Sequence, residues 1–296
     1  MTALAAERPN RVGTFLALVR IEHSVFALPF AYLAAAGALH RAGTGVHWLD
    51  LLLVTVAMVG ARTFAMAANR IIDRHIDARN PRTRNRELVT GAVSVRAAWL
   101  GAALALVVFL GAAAALNPLC LALSPLAVLP MIVYPYGKRF TNWPHGILAL
   151  AQMVGPIGAW LGITGTLRGS APAWVLGAAV GLWIGGFDLI YATQDAEVDR
   201  RIGVHSVPAR YGIRFALWAS AVAHLVTFGL FVWFGALLGL GWLWWVGLAL
   251  TALAFGYEHA IVKPTDLSRV NRAFFTVNGF VGIGLFAFAL ADLVLR

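Results

Sequence analysis

Windows of about 20 predominantly apolar residues, the length needed to cross a hydrocarbon core, recur along the whole chain. They lie near residues 23–40, 48–72, 97–116, 118–136, 146–165, 173–194, 214–236, 239–257 and 274–294. A backbone in lipid finds no water to bond, so each window must satisfy its N–H and C=O groups internally, which a helix does. The expectation is an all-α, polytopic membrane protein of nine transmembrane helices. Composition agrees: hydrophobic residues make up 60 % of the 296, charged residues 12 %, and mean hydropathy is +0.77, more apolar than a soluble domain requires.

Lysine and arginine orient the bundle. With alternating spans, Arg8, Arg11 and Arg20, the run from Arg70 to Arg96, Lys138 and Arg139, Arg200 to Arg214, and Lys263 to Arg272 all fall on one side. Only Arg41, Arg168 and Arg296 fall on the other, and Arg62 sits inside the second span. Basic loops stay cytoplasmic, which places the chain in the cell (inner) membrane with its N-terminus inside and its C-terminus outside. The net charge of +10 is spread over short loops beside apolar helices. It therefore points to anionic headgroups or a pyrophosphate, and not to nucleic acid. The first 20 residues lack the apolar core and cleavage site of a secretory signal. No composition break or long Pro/Gly/Ser linker interrupts residues 1–296, so they read as a single domain.

Against this background two acidic clusters stand out at the ends of spans: Asn69, Asp73 and Asp77, then Asp188, Asp195 and Asp199. Carboxylates cost several kcal/mol in or near hydrocarbon unless paired, wetted or bound to a cation. Clustered with an Asn amide they are hard oxygen ligands, the kind that holds Mg²⁺ shared with a substrate's phosphates. On a helix, Arg62, Asn69, Asp73 and Asp77 fall on one stripe, and Asp188, Tyr191, Asp195 and Asp199 on another. Both DxxxD pairs follow even-numbered spans, which share a direction, so the two pairs are placed to face one another across a central cavity open to the cytoplasmic side. Glu197 lies off its stripe and reads as a solvated charge. Cys120 is alone in an apolar stretch, which excludes an intramolecular disulfide. His75 and His205 have no second His or Cys at ligand spacing, which argues against zinc at either.

These residues resemble the UbiA superfamily of intramembrane aromatic prenyltransferases. The family pattern NDxxDxxxD followed by RTxxRPLxxG is met at Asn69, Asp73 and Asp77, then Arg82, Thr83, Arg86, Leu88 and Gly91. The pattern DxxYAxxDxxxDxxxGxxS is met at Asp188, Tyr191, Ala192, Asp195, Asp199, Gly203 and Ser206, and YPxxKR at Tyr134, Pro135, Lys138 and Arg139. Arg70 replaces the acid usually beside the Asn, removing one possible metal ligand, and Glu87 replaces the Pro of the second element. The run NRIIDRHIDARNPRTRNREL is similar to a bacterial branch linked to the futalosine route to menaquinone.

The resemblance implies Mg²⁺-dependent transfer of a polyprenyl group from its diphosphate to a ring carbon of a small aromatic acid, in ubiquinone or menaquinone biosynthesis. The acceptor is 4-hydroxybenzoate or 1,4-dihydroxy-6-naphthoate. It further implies that Asn69, Asp73, Asp77, Asp195 and Asp199 hold two Mg²⁺ ions, that Arg20, Arg62 and Lys138, backed by Arg139, Arg82 and Arg86, contact the diphosphate, and that Asp188 and Tyr191 orient the acceptor or help take its proton. His23 stands in a segment that lines the acceptor pocket or serves helix entry. No obligatory protein partner is implied. The competing reading is a cation-coupled secondary transporter using the same acids, which would show solute flux and no need for an allylic diphosphate. No GxSxG, Walker or dinucleotide pattern supports other enzyme classes.

Overall fold

The computed structural model describes residues 11–19 and 28–295. The described chain is helical and contains no β-strand. A short α1 (Arg11–Leu18) and α2 (Leu28–Ala42) precede α3 (Trp48–Asp77). A loop holding the one-turn α4 (Glu87–Thr90) leads to α5 (Val95–Leu116), α6 (Pro118–Gly137), α7 (Pro144–Thr164) and α8 (Ala171–Ala192). A second loop carries α9 (Ala196–Ile202) and α10 (Val207–Tyr211), followed by α11 (Ile213–Leu238), α12 (Trp242–Ile261) and α13 (Asn278–Val294), the last entered through a π-helical turn over Arg272–Val277.

Seven of these segments among the described residues are long and apolar enough to cross a membrane: 48–77, 95–116, 118–137, 144–164, 171–202, 213–238 and 272–294. The other two expected spans correspond to α2, of which 15 residues are described, and to α12, whose three tryptophans and Glu258–His259 pair lower its hydropathy.

Local chemistry sets the ends. At 30 residues, α3 runs about 45 Å, longer than a hydrocarbon core. Asp73 and Asp77 therefore fall in its last turns. Ser94 caps α5 by accepting from the Ala97 amide, and Gly91 ends α4 in the left-handed region. At the opposite face Asn117 serves two helices: its side-chain oxygen caps α6 through the Cys120 amide, and its Nδ2 donates to the Leu161 and Gly162 carbonyls near the end of α7. Within α6, Pro125, Pro130 and Pro135 interrupt the backbone ladder. The Leu121 carbonyl, four residues before Pro125, accepts from the Ser124 hydroxyl.

The most buried span is α8, packed between α7 and α11. Its contact with α7 follows a glycine stripe spaced by four, Gly177, Gly181 and Gly185, where Cβ atoms would meet the carbonyl oxygens of Met153, Ala149 and His145 at 3.2, 2.5 and 3.2 Å. Small residues let the two backbones approach, the usual way helices associate where lipid removes any hydrophobic drive between them. Large rings fill the rest of the interior: Phe30 stacks on Phe231 and meets Trp183 edge-on, and Trp244 packs edge-on against Phe234.

Candidate active site

The ends of α3, α6 and α8, the start of α7 and the two loops 78–94 and 193–212 meet at one rim of the bundle. The α3 stripe is one continuous helix, as its spacing predicted. Asp73 is fully buried and holds Lys138 Nζ at 2.6 Å, with Arg139 Nη1 at 3.4 Å. Arg139 is itself anchored, donating to the Ile72 and Pro135 carbonyls at 2.8 and 2.9 Å. One turn on, Asp77 takes Arg86 Nη1 on both oxygens, at 2.6 and 2.7 Å.

The second stripe is interrupted. After α8 ends at Ala192, a 3₁₀ turn over Thr193–Asp195 tightens the chain before α9 begins and shifts the register by part of a turn, while Tyr191 and Asp195 still face one arginine, Arg82. That turn presents Asp195 to the first loop. Arg82 grips both its oxygens, Nε at 2.9 Å to Oδ1 and Nη2 on Oδ2, while Asn80 Nδ2 donates to Oδ1 at 2.9 Å. The two motifs, more than a hundred residues apart in sequence, are thus joined by a bidentate ion pair. Burial would lower the Arg82 pKa, but the hydrogen bond and charge of Asp195 outweigh it and raise it further. Arg82 also donates to the Tyr191 hydroxyl at 2.9 Å and lies 5.0 Å from its ring centroid. Tyr191 is therefore part of this network. Asp199 accepts the Ser206 hydroxyl at 2.9 Å, and the His205 amide bonds the Lys138 carbonyl, tying the second loop to the end of α6.

Asp188 pairs with His145 Nδ1 at 2.7 Å across the glycine-lined contact of α8 with α7. Sequence reading passed over His145. Its signal was position, since it opens the fifth apolar segment at the same rim where the sixth one ends.

Asn69 and Arg62 lie deeper along α3. They line a pocket of about 100 Å³ together with Tyr134 and Gln152. This pocket shares Met58, Ala61, Val154 and Gly155 with a larger apolar chamber of about 540 Å³ between α3, α5, α6 and α7. From Asn69 to Val54, which lines the chamber, is roughly 22 Å along the helix axis. Arg70 turns away, its Nε 3.4 Å from the Leu18 carbonyl, so the residue replacing the family's acid braces α1. Arg20 and His23 lie outside the described residues.

The donor set fits a hard divalent cation. Asp73, Asp77, Asp195 and Asp199 offer only oxygen, at or near full burial for three of them.

The model of the UbiA prenyltransferase family matches residues 28–280. The chain belongs to the UbiA prenyltransferase family. Over 293 residues it is 35 % identical to the 4-hydroxybenzoate octaprenyltransferase of Xanthomonas campestris pv. campestris (strain B100), covering 97 % of this chain and 94 % of that one. Over 287 residues it is 31 % identical to the 4-hydroxybenzoate octaprenyltransferase of Pseudomonas aeruginosa (strain LESB58), covering 97 % and 95 %. Its fold superposes on the apo structure of a UbiA homolog from Aeropyrum pernix K1 with a TM-score of 0.83 and 37 % identity, over 92 % of this chain and 98 % of that one. A UbiA homolog from Archaeoglobus fulgidus bound to GPP and Mg²⁺ shares the fold at a TM-score of 0.69 and 21 % identity, over 95 % and 99 %. This UbiA protein is a prenyltransferase, and the transporter alternative falls away.

Proposed function

We propose that this prenyltransferase moves a polyprenyl group from its diphosphate to a ring carbon of a small aromatic acid, with 4-hydroxybenzoate the first acceptor to test and 1,4-dihydroxy-6-naphthoate the second. The observation that carries the reading is the junction of the two acidic segments through Arg82 and Asn80 at the same rim as an apolar chamber. A charged diphosphate and a long apolar tail need such neighbours.

In this reading Asn69, Asp73, Asp77, Asp195 and Asp199 hold Mg²⁺. Bound there, the metal would neutralise charge on the diphosphate as the carbon–oxygen bond breaks. Lys138, Arg139, Arg82 and Arg86 stand on those same carboxylates and are within reach of diphosphate oxygens, with Arg62 and Arg20 completing the basic set. Asp188, held by His145, accepts the proton lost from the ring, and Tyr191, fixed by Arg82, orients the acceptor. The apolar chamber keeps water from the allylic cation. The chain forms one domain over 1–296 of nine spans, α2 and α12 included. Support for α12 is its 20-residue length and the exposed Trp242 and Trp245 at one end, an aromatic belt position. The basic loops put the site on the cytoplasmic side of the inner membrane, with the N-terminus inside and the C-terminus outside.

The test is transfer from a radiolabelled polyprenyl diphosphate in membranes holding the purified protein, with Mg²⁺ or EDTA, offering each acceptor separately. Magnesium-dependent product from 4-hydroxybenzoate supports the ubiquinone assignment. Product from the naphthoate alone moves the enzyme to menaquinone synthesis. No product from either acceptor, with folded protein, overturns the reading.

A further inference from the structure

In the interior between α8, α11, α12 and α13, His224, Glu258 and His259 bring one ligand atom each to within 4.8 Å of one another. It is the one such group of three His, Cys, Asp or Glu residues among the described residues. His224 and Glu258 are buried to 1 % and 0 % exposure, and His259 is half-buried. His224 Nδ1 stands 3.0 Å from His259 Nε2 and 3.4 Å from Glu258 Oε2. A tetrahedral ion with bonds of about 2.0–2.1 Å needs ligand atoms about 3.3–3.4 Å apart. The 3.4 Å His224–Glu258 separation matches it, and the 3.0 Å hydrogen bond between the two imidazoles would open by about 0.3–0.4 Å to admit an ion.

The surroundings fix the tautomer of His224. His224 Nε2 lies 3.3 Å from the Trp183 carbonyl, which only accepts, so the proton sits on Nε2 and the Nδ1 lone pair faces the other two groups. Phe255 stacks on the ring at 4.6 Å between centroids, and Gly186 on α8 faces its other edge, where a Cβ would come within 2.6 Å of Cδ2. Glu258 Oε1 accepts from Asn278 Nδ2 at 2.8 Å, and Asn278 Oδ1 accepts from Trp183 Nε1 at 2.8 Å. Glu258 Oε2 is buried with no hydrogen-bond partner. A lone buried carboxylate oxygen 3.4 Å from an imidazole nitrogen is costly unless a proton or a metal cation sits beside it. Asn278 is delivered by the π-helical turn, a helix irregularity found often at functional sites.

We propose that His224 Nδ1, His259 Nε2 and Glu258 Oε2 form a binding site for a zinc-class divalent ion. Two imidazoles and one carboxylate favour Zn²⁺ or Co²⁺ over the hard Mg²⁺ suited to the rim aspartates. The ion ties α11 to α12, and through Asn278 and Trp183 to α13 and α8. None of its ligands takes part in the prenyl-transfer reading, and the site stands if that reading fails.

The test uses the full chain purified in detergent with a histidine-free tag. Protein loaded with Zn²⁺ and desalted should retain about one equivalent by mass spectrometry, with a raised melting temperature, and Co²⁺ in its place should give visible d–d bands of nitrogen ligation. His259→Ala and Glu258→Gln should each reduce retained zinc at least tenfold and remove the bands, with metal-free melting close to that of the wild type. The Asp73→Asn/Asp195→Asn double variant should keep both. Less than about a tenth of an equivalent on the wild-type chain overturns the proposal. So does zinc that survives His259→Ala and Glu258→Gln but leaves with the rim aspartates.

Discussion

Replacing Gly181 by alanine would place a methyl group 2.5 Å from the Ala149 carbonyl oxygen, on backbone that cannot swing aside. Ordinary carbon–oxygen contacts begin near 3.3 Å, so α7 and α8 must part by about 0.8 Å at this point. A Cβ added at the glycines on either side, Gly177 or Gly185, would lie 3.2 Å from the carbonyl oxygen it faces, so the close approach extends a turn in each direction. Carried two turns along α8, the same separation would stretch the 2.7 Å His145–Asp188 bond to about 3.5 Å, the limit of hydrogen bonding. Overpacking of this kind costs about 1–3 kcal/mol, and each kcal/mol lowers a melting temperature by roughly 2–4 °C in a chain of this size class. Losing a hydrogen bond to a charged group costs a further 1.5–3 kcal/mol or so in the reaction it serves, about one to two orders of magnitude in turnover. The comparison is Gly229→Ala on α11, where the added methyl meets nothing within 4 Å. Melting in detergent and prenyl transfer would be measured for both. If Gly181→Ala matches Gly229→Ala in both assays, the glycine stripe does not set the approach of α7 to α8, and the reasoning fails.

Other substitutions separate the parts of the site. Arg82→Lys keeps the charge but removes the bidentate grip on Asp195 and the bond to Tyr191; turnover should fall at least tenfold at saturating acceptor, and wild-type turnover would show that the junction is not needed. Asp73→Asn and Asp195→Asn should each abolish transfer while melting stays within a few degrees, and EDTA should silence the wild type until Mg²⁺ is restored; activity in either variant removes that residue from the metal set. Gly158 lines the apolar chamber with open space around it, so Gly158→Leu should leave folding intact and shift preference toward shorter prenyl diphosphates, read from product lengths in a mixed-donor assay. An unchanged length profile would place the tail elsewhere.

The spacing of Arg62, Asn69, Asp73 and Asp77 was legible as a single stripe because α3 is an uninterrupted helix, and a 3.6-residue period carries along any length of it. The second stripe was misjudged at one point: nothing in TQDAEVD announces the 3₁₀ turn, at whose end Asp195 meets the first loop. Opposite charges near one another were expected, but which arginine would take which aspartate depends on loop geometry that sequence does not carry. The fourfold glycine spacing on α8 is present in VLGAAVGLWIGGF and marks a close backbone approach to α7. His224, Glu258 and His259 could not be assembled from sequence, since two elements separate in the chain meet only once α11 and α12 pack.

The three prolines of α6 bear on traffic. Each removes one rung of the backbone ladder, so this helix bends more readily than its neighbours. Leu126 and Leu129 beside them line the chamber yet remain largely uncovered on the side where lipid would lie. The most pliant wall of the chamber is thus also its bilayer-facing one. A tail too long for roughly 22 Å of chamber can trail through it into the acyl chains, and a prenylated product can depart by the same sideways path. Donor and product then exchange within the plane of the membrane, and the apolar tail never has to pass through water.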